Sequence, residues 1–332
     1  MAKKYDIVAV TALCLEIQIK ADDALLEKSG LQKGLSNVVT AEKLAELVAG
    51  DILVKTAGSP GYNVAAGVAH RDGAAAVIGK VANDNHGAFV AGRVAEKGID
   101  FTPSVSDRPG AATTCVLIVT TPDKERTFAF IHGAGYHLAP EDIDAAPISQ
   151  AEITYLDAYL WLSDSGRDAV HRAAEEAKRA GSRVAIALND ANIVARNRDM
   201  FLALARSHGD ILLGDRREFM ALLGTETLEE TFEALHALGC TASITAGAKG
   251  AYVVSRGEVT HVPAKKVDNI VDTNGAGDAF AAGFMHGLAR GKSPADAGHQ
   301  GAQWASEAIQ HIGAEPQNLK PARNTSPKKP QP

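Results

Sequence analysis

This sequence predicts an α/β fold, a mostly parallel sheet with helices on both faces, and three observations carry that expectation. From about residue 152 onward, short apolar runs at 153–156, 184–188, 211–213 and 242–245 alternate with helical stretches such as 169–180 and 200–207. Alternation of that kind specifies βαβ units with right-handed crossovers and strands buried on both faces. The chain opens on a buried apolar run, 5–10. It also carries two β-rich runs, 113–120 and 126–131, on either side of the turn Thr121-Pro122-Asp123-Lys124-Glu125. These last two read as a hairpin that stands apart from the alternating half.

Composition narrows the function classes. The 332 residues, 45% of them hydrophobic, suffice for a substantial core in one large domain or two small ones. A net charge of −6, with no basic block beyond Lys328-Lys329, argues against nucleic acid or an anionic membrane as partner and leaves a small-molecule substrate. No apolar run approaches the ~20 residues that span a bilayer. The first six residues lead into a strand rather than a signal peptide, so the expected location is the cytoplasm. Cys14, Cys115 and Cys240 are widely spaced, without C-x-x-C, and are expected to be buried free thiols. There is no G-x-x-x-x-G-K-[ST], no G-x-G-x-x-G after a strand and no G-x-S-x-G. The P-loop, the dinucleotide fingerprint and the hydrolase elbow are thereby excluded.

Taken in order, the strand 5–10 continues into 12–20, whose polar/apolar alternation is that of a strand with one face to solvent. Ala57-Gly58-Ser59-Pro60-Gly61-Tyr62-Asn63-Val64 is a Gly/Pro turn opening a helix. An apolar strand at 74–78 leads through a loop holding Lys80 and Asp84 to an amphipathic helix, 88–97, that stops at Gly98. Strands 252–255 and 258–262 turn at Arg256-Gly257. A helix beginning at or near Asp278 runs to Arg290 before Gly291, and a second helix, 297–312, packs beside it with Gln303 and Trp304 pointing in different directions. Residues 316–332 carry Pro316, Pro321, Pro327, Pro330 and Pro332 with hardly any apolar residue, the composition of a disordered tail.

Ligands of parallel α/β sheets sit at the C-terminal ends of the strands. The residues just past those ends are Asn189 and Asp190, Asp215 and Glu218, Thr245, Gly247 and Gly250, and the turn around Gly275. In Asp272-Thr273-Asn274-Gly275-Ala276-Gly277-Asp278, glycines turn the backbone into a helix whose first N–H groups, those of Ala276, Gly277 and Asp278, can hold phosphate oxygens. Two roles fit Asp278: a base that takes a proton from an attacking hydroxyl, or a helix cap. Asp215 and Glu218, one turn apart at a helix start, fit either a hydrated magnesium ion or a helix cap. Gly58 permits close approach to a ligand and Asn63 offers donor and acceptor to a polyol; Tyr62 either stacks on a ring or packs.

The run Asp-Thr-x-Gly-Ala-Gly-Asp before an apolar helix resembles the C-terminal motif of the ribokinase (PfkB) family of carbohydrate and nucleoside kinases. Other stretches agree in order: Gly58-Ser59-x-x-x-Asn63 with that family's Gly-Gly-x-x-x-Asn, Asp215-x-x-Glu218 with its Asn-x-x-Glu, and Thr245-x-Gly247-x-x-Gly250 with its Thr-x-Gly-x-x-Gly. The similarity spans roughly residues 5–315. It implies a single three-layer ribokinase-like domain over 1–315, with a small β-sheet lid drawn from about 12–20, 36–56 and 113–131. It further implies phosphoryl transfer from ATP, with Asp278 as general base and Gly275, Ala276 and Gly277 as the anion hole. Thr273, Thr245, Gly247, Gly250 and Asp215 would lie along the nucleotide. Asp215 and Glu218 would organise Mg2+, the helix over 297–312 would help wall the adenine pocket, and K+ beside the Asp272 turn is implied by resemblance only. Family members act as monomers or homodimers.

The departures fall on the substrate side. Where the family pattern reads Gly-Asn-x-x-x-Asp, this chain has Thr11, Ala12 and Glu16, and Ser59 stands for a glycine. Glu16 either grips a hydroxyl pair or is a solvated strand glutamate. Tyr5-Asp6-Ile7-Val8, Lys20-x-Asp22-Asp23 and His311-Ile312-Gly313-Ala314 resemble the bacterial adenosine-kinase-like branch. Three readings follow: a kinase for the hydroxymethyl hydroxyl of a nucleoside, a sugar kinase acting on fructose, ribose or a ketosugar acid, or a nucleotide-binding regulatory protein without kinase activity.

Overall fold

The computed structural model describes residues 3–48, 52–106, 108–123 and 125–315. The first half of the chain contributes β1 (Tyr5–Val10), β2 (Cys14–Lys20), α1 (Asp23–Ser29), β3 (Ser36–Val38), α2 (Ala41–Leu47), β4 (Ile52–Gly58), α3 (Pro60–His70), β5 (Ala75–Ile78), β6 (Lys80–Ala82) and α4 (Asn85–Glu96). Short strands β7 (Asp100–Phe101) and β8 (Ser104–Ser106) and the hairpin β9 (Cys115–Thr120) and β10 (Arg126–Ile131) complete it. The alternating half then runs α5 (Ala145–Ser149), β11 (Ala151–Leu156), α6 (Asp164–Arg179), β12 (Arg183–Ala187), α7 (Ala191–Arg196), α8 (Arg198–His208), β13 (Gly209–Asp215), α9 (Arg216–Leu223), α10 (Leu228–Leu238) and β14 (Thr241–Thr245). Last come β15 (Ala251–Ser255), β16 (Glu258–Val262), α11 (Ala276–Ala289) and α12 (Pro294–Ala308).

The main sheet has nine strands in the order β16-β15-β14-β13-β12-β11-β1-β5-β7. It is parallel from β14 to β7 and ends in two antiparallel strands, as the alternating pattern and the Arg256-Gly257 turn predict. β1 shows why it is three-layered. Ile7 and Ala9 join one core with Tyr62, Val64, Phe284 and Met285 of α3 and α11, whereas Val8 and Val10 join another with Val170, Phe201 and Phe219 of α6, α8 and α9. Successive side chains of a strand point to opposite faces, so both faces must be covered. α11 and α12 approach closely because a Cβ on Gly283 would lie 2.8 Å from the Cα of Gly301.

A second sheet of five strands, β3-β10-β9-β2-β4, is the lid. One of its faces carries Leu15, Ile17, Ile19, Leu117 and Val119 into a core with Leu26 of α1 and Leu44 and Leu47 of α2. The segment 36–56, expected to be strand, is broken by α2: Thr40 caps it by accepting from Lys43 N, and Ala41-Glu42-Lys43-Leu44-Ala45-Glu46-Leu47 contains no residue adverse to a helix. Two further boundaries move. α11 begins at Ala276 rather than near Asp278, because Gly275 in the left-handed conformation (φ 72°) is its cap; α12 spans Pro294–Ala308 rather than 297–312. The expected tail, 316–332, lies outside the described residues. Among those described, no helix is long and apolar enough to cross a membrane, and the three cysteines are buried and free.

Candidate active site

The turn before α11 is held from two sides. Asp272 accepts from Asn274 N at 2.9 Å, from Gly313 N at 3.0 Å and from Gln18 Nε2 at 3.3 Å. Gly275 lies against the 313–314 segment so closely that a Cβ there would come within 2.4 Å of the Ala314 Cβ, and its positive φ independently favours glycine. The N–H of Ala276 is used within the turn, to Thr273 O at 3.3 Å. Those of Gly277 and Asp278 find no backbone carbonyl, and a Cβ on Gly277 would meet nothing within 4 Å. Of the three amides expected to form an anion hole, two are therefore without a backbone partner at a helix N-terminus, where partial positive charge favours an anion.

Asp278 sits in the first turn of α11, and Asn63 of α3 donates Nδ2 to its Oδ2 at 2.8 Å. Some of the side chain stays open to the cleft, while protein crowds it on the other sides. Burial first, and then the Asp157 charge, push its pKa up to about 7 against the lowering effect of Asn63. A carboxyl with a pKa near working pH is suited to proton transfer.

Glu16 is buried on β2 and is not the solvated glutamate that was its alternative reading. Its Oε1 accepts from Asn274 Nδ2 at 3.4 Å, and a Cβ on Gly58 would lie 2.8 Å from its Cβ, which is why position 58 is glycine. Burial, then the charges of Asp278, Asp272 and Glu315, push Glu16 up to about 7. Asn274 in turn meets Arg126 of β10 at 3.3 Å, so this face of the lid looks onto the Asp272 turn.

Ser59 caps α3 at φ 131°, a region disfavoured for any residue with a side chain. Its hydroxyl offsets that strain by accepting from Tyr62 N at 3.2 Å and by lying 2.9 Å from Thr11 Oγ1. Thr11 also donates to Asp157, which takes the Tyr159 N–H at 2.8 Å. Asp157 is fully buried and its pKa rises to about 6, chiefly through burial. The departures at positions 11 and 59 are thus one hydrogen-bonded unit. Asp157 was not singled out from the sequence, although it is the first residue after β11, where the strand-end rule points. Tyr62 is fully buried with its hydroxyl on Glu315, so it packs and does not stack on a ligand.

Asp215 and Glu218 form a reciprocal capping box at the start of α9: Glu218 N donates to Asp215 Oδ1 at 2.9 Å and Asp215 N to Glu218 Oε2 at 2.7 Å. The capping reading is therefore realised, and it leaves one oxygen of each carboxylate outside the box. Burial raises Glu218 to about 7, the Asp215 amide opposing and the charges of Asp215 and Asp190 adding to it. Asp157, Asp278 and Glu218 all act on the buried Tyr155 hydroxyl, whose pKa is raised above all by burial, so these carboxylates share one end of the sheet. Thr245 ends β14 with its hydroxyl 3.4 Å from Gly214 O; Gly247 (φ 56°) follows, and at Gly250 (φ 89°) a Cβ would lie within 2.1 Å of Val262 O. Thr273 is exposed beside the turn. Lys80 and Asp84, expected on the rim, are an ion pair with Asp142 and the cap of α4.

A base must be ionised to accept a proton, so if Asp278 serves as the base expected from the sequence, turnover is expected to be lost as pH falls through about 7, its value here. Asp278 and Glu16 interact, so the midpoint belongs to the pair. A kcat/KM–pH profile with an acid limb near 7, displaced to lower pH in Asp157→Asn, is the expected result.

The sequence profile of the family described as pfkB family carbohydrate kinase matches residues 35–321. Among relatives, 5-dehydro-2-deoxygluconokinase of Shouchella clausii is 28% identical over 70% of this chain and 74% of its own. Aminoimidazole riboside kinase of Salmonella typhimurium is 31% identical over 71% of this chain and 75% of its own. The crystal structure of adenosine kinase from Sinorhizobium meliloti is 34% identical and superimposes with a TM-score of 0.87, covering 95% of this chain and 97% of that one.

Proposed function

This chain belongs to the pfkB family of carbohydrate kinases, and on that premise we propose that it transfers the γ-phosphoryl group of ATP to the hydroxymethyl hydroxyl of a nucleoside, with Asp278 as general base. As a member of that family it is a phosphotransferase with an alcohol acceptor, and kinases of the family use ATP and Mg2+.

One observation carries the choice of a nucleoside. On the cleft face of the lid, Glu16 opens a cross-strand row that continues through Val116 and Phe130 to Val38, and the next row runs from Gln18 through Ile118 and Phe128 to Ser36. Phe130 is half-buried and its ring stands 5.1 Å from that of His132, which stacks on Tyr136 at 4.7 Å. A carboxylate beside an apolar, aromatic bed suits a molecule with hydroxyls at one end and a flat base at the other. A free sugar leaves that bed bare. The likeness to riboside and adenosine kinases supports the same reading. A ketosugar acid is the second reading, and its support is the likeness to 5-dehydro-2-deoxygluconokinase.

In this mechanism Asn63 orients Asp278, which takes the acceptor proton, while the Gly277 and Asp278 amides steady charge on the transferring group. Glu16 grips the acceptor's hydroxyls. The outer oxygens of Asp215 and Glu218 would hold Mg2+ through its waters. Thr245, Gly247 and Gly250 would lie along the nucleotide. Gln18 Oε1 is buried without a hydrogen-bond partner beside Asp272, a place where K+ fits. With α1 and α2 over the outer face of the lid, the reading favours a monomer.

Phe130→Ala tests the substrate class. Loss of a base-stacking ring is expected to raise KM for a ribonucleoside about 10-fold, from ~1–1.5 kcal/mol of stacking, with free-pentose turnover unchanged. Equal effects on both would remove the bed from the site.

A further inference from the structure

We propose that Glu315 is a positioning residue for phosphoryl transfer: from one buried carboxylate it holds both the anion-hole turn at Gly275 and the Asn63–Asp278 pair. The inference rests on the kinase reading above.

Both oxygens of Glu315 are saturated by donors from three elements. Oε2 accepts from Thr56 Oγ1 of β4 at 2.7 Å and from Arg93 Nη2 of α4 at 2.9 Å. Oε1 accepts from Tyr62 OH of α3 at 2.7 Å and meets Lys97 Nζ at 2.7 Å. Glu315 is 9% exposed and Lys97 6%, so this is a buried socket of two cations and two hydroxyls around one anion. Burial by itself would raise the Glu315 pKa; Arg93, Lys97 and Thr56 more than reverse that, and the group is ionised.

What the socket holds is the chain on either side of the chemistry. Three consecutive residues engage in turn: Gly313 N donates to Asp272, Ala314 lies against Gly275, and Glu315 enters the socket. The floor of the anion-hole turn is thus the segment that Glu315 anchors. On the other side, Tyr62 immediately precedes Asn63, whose amide holds Asp278 at 2.8 Å. Thr56 brings the lid strand β4 to the same point, and it is the direct cross-strand partner of Glu16 on β2. Removing the carboxylate leaves the buried Lys97 beside the half-buried Arg93 without the anion between them, so the socket opens and does not close over the gap. A staple of stability alone would loosen its own donors and leave the turn in place.

The experiment is amide hydrogen exchange on the full chain, read together with steady-state kinetics, for Glu315→Gln and for Tyr62→Phe. In Glu315→Gln, exchange of the hydrogen-bonded amides of the turn and the first turn of α11, those of Asn274, Ala276 and Ala279, is expected to rise about 10-fold or more. Turnover is expected to fall about 10- to 100-fold, with KM for ATP changed less than about threefold, the pattern of lost transition-state alignment. Glu315→Asp is expected to recover part of both. Tyr62→Phe removes one hydrogen bond and keeps the ring, so it folds even where Glu315→Gln does not; a smaller change in the same two readouts is expected. Faster exchange confined to 52–62 and 93–97, with turnover intact, would overturn the proposal. If the wild-type protein transfers phosphate to no acceptor, the kinase reading fails, and exchange at α11 still decides whether Glu315 positions the turn.

Discussion

Asp278→Asn is expected to lower kcat about 10²- to 10⁴-fold, the usual worth of a general base, and to leave ATP affinity nearly unchanged. The asparagine keeps the size of the side chain and can still meet Asn63, so the geometry survives while the proton acceptor is gone. The same substitution is expected to raise Tm. Burial and the Asp157 charge disfavour the ionised carboxyl in the folded protein, and its pKa of about 7 there means that ionisation at neutral or higher pH costs stability that a neutral amide does not. Rapid-quench turnover and thermal unfolding on the same preparation check both halves. A mutant with full activity would remove Asp278 from the chemistry.

The second large effect separates two glycines that the sequence presents alike. Gly275→Ala forces a side chain into the left-handed region and into Ala314, with 2.4 Å available. The conformational cost is ~1–2 kcal/mol, overpacking adds about 1–3 kcal/mol, and displacement of the anion hole is expected to cost about 10²- to 10³-fold in kcat. Gly277→Ala meets nothing within 4 Å. Its fold and Tm are expected to stay as they are, while the added methyl occupies the ligand's space and raises KM for ATP about 10-fold. Chemical denaturation and ATP titration of the two variants give opposite patterns if the open space beside Gly277 is the nucleotide's.

The parts of the molecule that were legible are those whose signal is local. The turn 272–278 packs two glycines and two aspartates into seven residues, and the alternating half announces its sheet through periodicity. Errors of boundary arose where one residue's conformation decides: Gly275, as a left-handed cap, starts α11 two residues earlier than Asp278 suggested. The helix inside 36–56 was readable from Thr40 and the run after it, but was hidden by the expectation of a continuous lid strand. Glu315 was not legible, and Asp157 was legible only as a residue at a strand end. A lone aspartate after a strand gains its meaning only when Thr11, 146 residues away, is folded against it. Glu315 stands at the edge of a proline-rich tail, and its donors come from positions 56, 62, 93 and 97. Ser59 looked like a plain departure from a glycine motif, and the Thr11 contact gives it a physical reason.

The measurement that bears most directly on the central claim is ADP release from Mg-ATP by the wild-type protein across ribonucleosides, free pentoses and hexoses, and ketosugar acids. The account predicts release with a ribonucleoside at a kcat/KM at least about 100-fold above that of any free sugar, as expected when a base adds binding that a bare sugar lacks. A free sugar or sugar acid preferred over every nucleoside, or ATP bound with no release from any acceptor, would contradict it.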